Sequence, residues 1–247
     1  MVLIVTVAAA GCGSDAEVTH WVLPTPLAEI SGMAYHDESL LVHDDERGDI
    51  YRIGLPTATT GPVIDLMYRM GEPGLRADFE GITVHGSNVY VTTSRGMLFR
   101  FPVANVGVVI PERVDSGLEE ICEVEGLDSI DTGLLLACKT HYTEPGDVSV
   151  IYHFDPVMNV LDRWLVVGPQ RSLSAIDHYQ EGIALLAAKQ HLLWMVGEAG
   201  ETIATVDLDP RRHPQPEGIA VTPAGDIWIA DEDAGGGRLT VYRAGGG

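Results

Sequence analysis

Short apolar runs alternate with turn residues from Val18 to Arg243, the pattern of a chain of β-strands. Several runs open alike, with glutamate and glycine ahead of the apolar residues: Glu80-Gly81-Ile82-Thr83-Val84, Glu125-Gly126-Leu127-Asp128, Glu181-Gly182-Ile183-Ala184 and Pro216-Glu217-Gly218-Ile219-Ala220-Val221. Ser31-Gly32-Met33-Ala34-Tyr35 is a variant with serine in place of the acid. These glycines stand 49, 45, 56 and 36 residues apart, scattered about the roughly 40–45 residues of a four-stranded propeller blade. The repeat predicts an all-β fold, a β-propeller of five blades, with six as the other count the spacing allows.

The predicted strands of blade one are Gly32 to Tyr35, Leu40 to His43, Asp49 to Ile53 and Val63 to Leu66. Blade two takes Gly81 to His85, Val89 to Thr93, Met97 to Phe101 and Gly107 to Ile110, with turns at Gly86-Ser87-Asn88 and Arg95-Gly96. Blade three takes Gly126 to Ile130, Leu134 to Cys138, Ser149 to Phe154 and Val160 to Val167. A long connection, Gly168 to Glu181, then leads to blade four: Gly182 to Ala187, Leu192 to Val196 and Thr202 to Leu208, its outer strand short or missing. Blade five has Gly218 to Val221, Ile227 to Ala230 and Arg238 to Arg243. It lacks a fourth strand, which the unpartnered run Val18 to Leu23 can supply, closing the ring and removing its open edges.

A repeat that fills residues 18–247 leaves room for one domain. Acids outnumber bases 36 to 15, a formal charge of −21 that repels phosphates and argues against nucleic acid as a partner. The same excess keeps a surface soluble and monomeric, and part of it can collect cations. Residues 1–12, an apolar run ending Ala9-Ala10-Gly11-Cys12, resemble a bacterial lipoprotein signal with Cys12 as the lipidated residue. Residues 13–17 then form a short tether, and the protein is expected in the cell envelope, exported and held at a membrane through lipid alone. In an exported chain Cys122 and Cys138 can form a disulfide, and two free buried cysteines are the other reading.

In a blade the start of the inner strand and the end of its antiparallel neighbour lie at the same end of the hairpin. The repeat therefore places Glu80, Glu125, Glu181 and Glu217 round one mouth of the central channel. Asp44, Asp45, Glu46, Arg95, Lys139, His141, Glu198, Asp231 and Glu232 should form its rim. Crowded carboxylates raise one another's pKa, recruit bases or bind a cation, and Ca2+ suits them because it accepts several oxygen ligands in loose geometry. A structural reading stands beside this one: the glutamate bonds backbone N–H groups at the blade junction, and the glycine lets inner strands approach closely. No Gly-x-Ser-x-Gly, His-Glu-x-x-His or phosphate-loop motif supports nucleophile or zinc-protease chemistry.

Asp78-Phe79-Glu80-Gly81-Ile82, with Leu41-Val42-His43-Asp44-Asp45-Glu46 and Ile227-Trp228-Ile229-Ala230-Asp231-Glu232, resembles the SdiA-regulated family of exported bacterial propellers. More distant likeness runs to esterase-like phytase and gluconolactonase-type propellers, which hold a divalent metal with channel-mouth carboxylates. The resemblance implies an exported propeller that binds calcium and whose substrate is undefined; the partner expected of such a module is a small-molecule or cell-envelope ligand. A divalent-metal-dependent hydrolase of esters, lactones or phosphoesters is the alternative of a different class.

Overall fold

The structure is a computed structural model that describes residues 18–57, 59–142, 148–168, 171–180 and 182–244. The expected signal with Cys12, the tether and the candidate ligand Glu181 lie outside the described residues. In chain order the strands of the first part are β1 (Val18–Val22), β2 (Ile30–His36), β3 (Ser39–Asp44), β4 (Asp49–Gly54), β5 (Val63–Met70), β6 (Phe79–His85), β7 (Asn88–Thr93), β8 (Met97–Pro102), β9 (Gly107–Val109) and β10 (Glu112–Asp115). They continue as β11 (Cys122–Ile130), β12 (Gly133–His141), β13 (Ser149–Asp155), β14 (Val160–Val167), β15 (Leu173–Tyr179), β16 (Gly182–Ala187), β17 (Leu192–Gly197), β18 (Thr202–Asp207), β19 (Pro216–Val221), β20 (Ile227–Asp231) and β21 (Arg238–Tyr242).

These form five sheets in a ring, antiparallel except for the β5–β9 pair, a five-bladed β-propeller whose inner strands are β2, β6, β11, β15 and β19. Packing explains the sequence pattern. The second strands β3 and β16 are buried along their whole length, because each lies between two neighbouring blades and is apolar on both faces. The outer strands β14 and β18 have one face in water and mix exposed with half-buried positions. Five apolar clusters fill the five gaps between blades, built round Trp194, Trp228, Phe79, Phe154 and Ile229.

The predicted closure is present: β1 pairs with β21 from Val18↔Tyr242 to Val22↔Arg238. Trp21 stacks on Trp228 at 5.9 Å, and Leu23 N donates to Gly237 O at 2.6 Å. Two strand assignments differ from expectation. The outer strand of blade two is β10, whereas Gly107–Val109 crosses to blade one and pairs in parallel with β5, a seam that Tyr68 Oη reinforces by donating to Val103 O at 2.8 Å. In blade four the inner strand is β15, inside the stretch expected to be a connection; Gly182 to Ala187 is the second strand, and Thr202–Asp207 is the outer strand expected to be missing. The physical reason is that inner and second strands are equally buried, so apolar character alone cannot order them, while Ser174, Asp177 and His178 make β15 look like a loop.

Cys122 and Cys138 form a disulfide with Cα atoms 5.8 Å apart. It ties β11 to β12 across the part of the ladder where the register shifts around Val124.

Deleting residues 1–24 removes β1 and exposes the β21 edge and the Trp228 face. Thermal denaturation should then lose its cooperative transition; a truncated chain that melts cooperatively at the parent temperature would refute the closure.

Candidate functional site

Every inner strand carries the same irregularity. Between Ile30 and Gly32, Phe79 and Gly81, Val124 and Gly126, Leu173 and Ala175, and Pro216 and Gly218, the pairing skips one residue. Such a β-bulge leaves one residue unpaired and re-aims its side chain. The five bulged residues are Ser31, Glu80, Glu125, Ser174 and Glu217, a ring at one end of the channel. Ser174 holds the place that the repeat spacing assigned to Glu181, and the signal for it was the short match of Ser174-Ala175-Ile176 to Ser31-Gly32-Met33.

The residue after the bulge has to be small. A Cβ on Gly81 would stand 2.6 Å from Leu127 Cβ and 2.7 Å from Leu127 N of the next blade, and one on Gly126 would stand 2.8 Å from Ile176 Cγ2. The close approach attributed to these glycines is therefore real, and it is what brings the bulged side chains near a common axis.

Ser31, Glu80, Glu125 and Glu217 line a cavity of about 10 Å³, room for about one water or ion. Ser31 Oγ donates to Glu80 Oε2 at 2.9 Å, and Lys139 Nζ donates to Glu125 Oε1 at 2.7 Å. Burial, then the charge of Glu125, pushes the Glu80 carboxyl up to about 9. Burial also raises Glu125 to about 7 against the opposing pull of Lys139, and raises Glu217 to about 7 with Glu125 adding to it. Burial alone would lower the Lys139 ammonium, but its bond to Glu125 and the charges of Glu125, Glu123 and Glu217 outweigh that and raise it.

The expected rim is dispersed. Asp44 accepts from Arg47 Nε at 3.0 Å and from the backbone N–H groups of Glu46 and Arg47, so it organises a turn. Asp45 is raised to about 6 by burial and by its acidic neighbours Glu29 and Asp44. Glu46 reaches Arg76 at 3.4 Å, Arg95 pairs with Glu119, and His141 Nε2 meets Tyr152 Oη at 2.8 Å. Asp231 is buried on His213 Nδ1 at 2.8 Å, and Glu232 accepts from Gln215. Lys139 is the rim base that meets the ring. Glu198 is at the other mouth, because Leu192–Gly197 is a third strand and ends at the opposite end of the blade.

That other mouth holds a group the repeat did not single out. Asp128, Asp177 and His178 have ligand atoms all within 4.8 Å of one another, and among the described residues they are the group of three so arranged. Asp128 and Asp177 stand three positions beyond the bulge in successive inner strands, and His178 Nδ1 contacts Asp128 Oδ2. Burial and the charge of Asp128 push the Asp177 carboxyl well up, while the Asp128 hydrogen bond raises His178.

The NHL repeat family matches residues 214–242, the last three strands of blade five. No curated protein sequence matches the chain. Among solved structures, Myxococcus xanthus glutaminyl cyclase is 17% identical with a TM-score of 0.64, covering 92% of this chain and 95% of that one. Streptogramin B lyase is 9% identical with a TM-score of 0.53, covering 91% and 97%. The PQQ-bound aldose sugar dehydrogenase of Streptomyces coelicolor is 14% identical with a TM-score of 0.52, covering 92% and 98%. At such identity the likeness is one of fold, and it relates this propeller to folds that enzymes use.

Gly81→Ala forces Leu127 and its backbone outward and should destabilise the chain by about 1–3 kcal/mol, lowering the melting temperature by roughly 2–4 °C per kcal/mol; an unchanged melt would show that the inner strands are not in contact there.

The raised carboxyls set the sign of a pH effect. A folded-state pKa above the unfolded value means that the contribution to stability is complete below about pH 4 and is lost as the pH rises through about 7 to 9. Chelator-treated protein should therefore lose stability from about pH 5 to about pH 9, and Glu80→Gln should lose less. Equal slopes for the two proteins in melts across that range would refute the buried charge at Glu80.

Proposed function

We propose that this chain is an exported propeller that binds a divalent cation, calcium, on its axis through Glu80, Glu125 and Glu217, as the anchor point of a module for a small-molecule or cell-envelope ligand. One observation carries the reading: three carboxylates on equivalent bulges surround a void of about one ion's size, with Lys139 as the base in contact with one of them, Glu125. The hydroxyl of Ser31, which lines the same void, is a further hard oxygen donor. Burial raises these carboxyls, and a bound cation would oppose that rise.

Export is supported by the likeness of residues 1–12 to a lipoprotein signal, with Cys12 as the anchor, and by the Cys122–Cys138 bond, since disulfides persist in oxidising compartments. The resemblance to SdiA-regulated propellers points the same way, because its best match, Asp78-Phe79-Glu80-Gly81-Ile82, contains one of the ring residues.

Added calcium at about a hundred times its dissociation constant should stabilise the native state by about 2.7 kcal/mol, raising the melting temperature by roughly 5–10 °C. Glu125→Gln and Glu217→Gln should each blunt that response. Calorimetry without a calcium signal, together with a melt that chelator leaves unmoved, would make the ring purely structural.

A further inference from the structure

At the mouth opposite the glutamate ring, blades two, three and four frame a cavity of about 1080 Å³, lined by residues that include His85, Asp131, Trp164, His178 and Glu198. Among the described residues its lining holds no lysine or arginine. Asp128, Asp177 and His178 stand where this cavity meets the channel: His178 lines the cavity, and Asp128 and Asp177 line the narrower void behind it.

The placement is specific to this side of the ring. In the other three inner strands the position of Asp128 and Asp177 is taken by Ala34, Thr83 and Ala220. Both oxygens of Asp177 are fixed by backbone donors, Val221 N at 2.6 Å and His178 N at 2.7 Å, which leaves the remaining lone pairs directed by a rigid frame. Ligand atoms all within 4.8 Å of one another lie close enough to share a single ion, whose bonds to nitrogen and oxygen are about 2.0–2.6 Å long.

We propose that Asp128, Asp177 and His178 bind one divalent transition-metal ion, zinc being the reference case, whose open side faces the cavity and takes a small oxygen- or nitrogen-donor molecule. An imidazole in the donor set favours such a metal over calcium, whose ligands are oxygens. Three protein ligands and one open position are the arrangement of zinc sites that act on a bound molecule, whereas structural sites are closed by four. His178 is accessible, with 42% of its side chain exposed, so ion and ligand can arrive from the cavity. This site is separate from the glutamate ring and does not depend on it.

The test uses Co2+ as a coloured probe on the whole chain stripped of metal. The expected result is one equivalent of Co2+ giving visible d–d bands, bleached by Zn2+ and shifted by azide, which reports an open position. His178→Ala and Asp128→Asn should each weaken Co2+ binding by about tenfold or more, since losing even an outer partner of a ligand costs that much. Glu125→Gln should leave the bands intact. Absence of the bands in the parent chain, or their loss in Glu125→Gln but not in His178→Ala, overturns the proposal; in the second case the ion sits on the ring and the calcium reading stands. Bands that azide fails to shift overturn the open position. Circular dichroism separates unfolding of a variant from loss of a ligand, and Asp128→Asn, equal in size to the parent, is the variant that decides if His178→Ala unfolds.

Discussion

Five strands have to meet at one axis, and the room available there is set by the backbone. The inner strands of blades two and three approach so closely that a methyl group on Gly81 would collide with the main chain at Leu127. A residue at the same end cannot point into the ladder and into the channel at once, so the chain inserts one extra residue per blade and turns it inward. The axial chemistry follows from this constraint: whichever residue occupies the bulge, Ser31, Glu80, Glu125, Ser174 or Glu217, becomes part of a ring.

Burial then sets the behaviour of that ring. A carboxylate removed from water holds its proton more tightly, and a second carboxylate beside it strengthens the effect. Glu80 has a serine partner and rises furthest, to about 9, while Glu125 has the Lys139 ammonium and stops near 7. The overall charge of −21 is not the cause, since most of the expected rim is occupied with turns, ion pairs and hydrogen bonds of its own: Asp44 with Arg47, Arg95 with Glu119, Asp231 with His213. The acids of the axis are a local feature, and they lie at both ends of the channel, Glu80, Glu125 and Glu217 at one and Asp128 and Asp177 at the other.

The two fastenings of the fold serve this arrangement. The ladder between β1 and β21 covers the outer edge of blade five with a strand that precedes blade one and presses Trp21 onto Trp228, which joins the first blade of the ring to the last. The Cys122–Cys138 bond spans the bulge of blade three, between the two strands that present Glu125 and Lys139. It holds the one close acid–base pair of the glutamate ring in register.

The sequence by itself determined the fold class, the closure by the first strand and three of the five ring positions, because Glu-Gly before an apolar run is a local pattern and a bulge is a local event. It also placed Asp44, Lys139 and Asp231 at the correct end of their blades, since the end of an antiparallel strand follows from the position of its neighbour. The tertiary structure alone decided the order of strands in blade four: β15 and β16 are equally buried, and only the ring shows which of them reaches the axis. That one-strand shift moved Glu198 to the far mouth, put Ser174 in the ring and made Asp177 a neighbour of Asp128. Asp128 lies far along the chain from the adjacent pair Asp177-His178, and nothing in their own surroundings marks them. They come together because equivalent positions in successive blades are adjacent around an axis that no single blade contains.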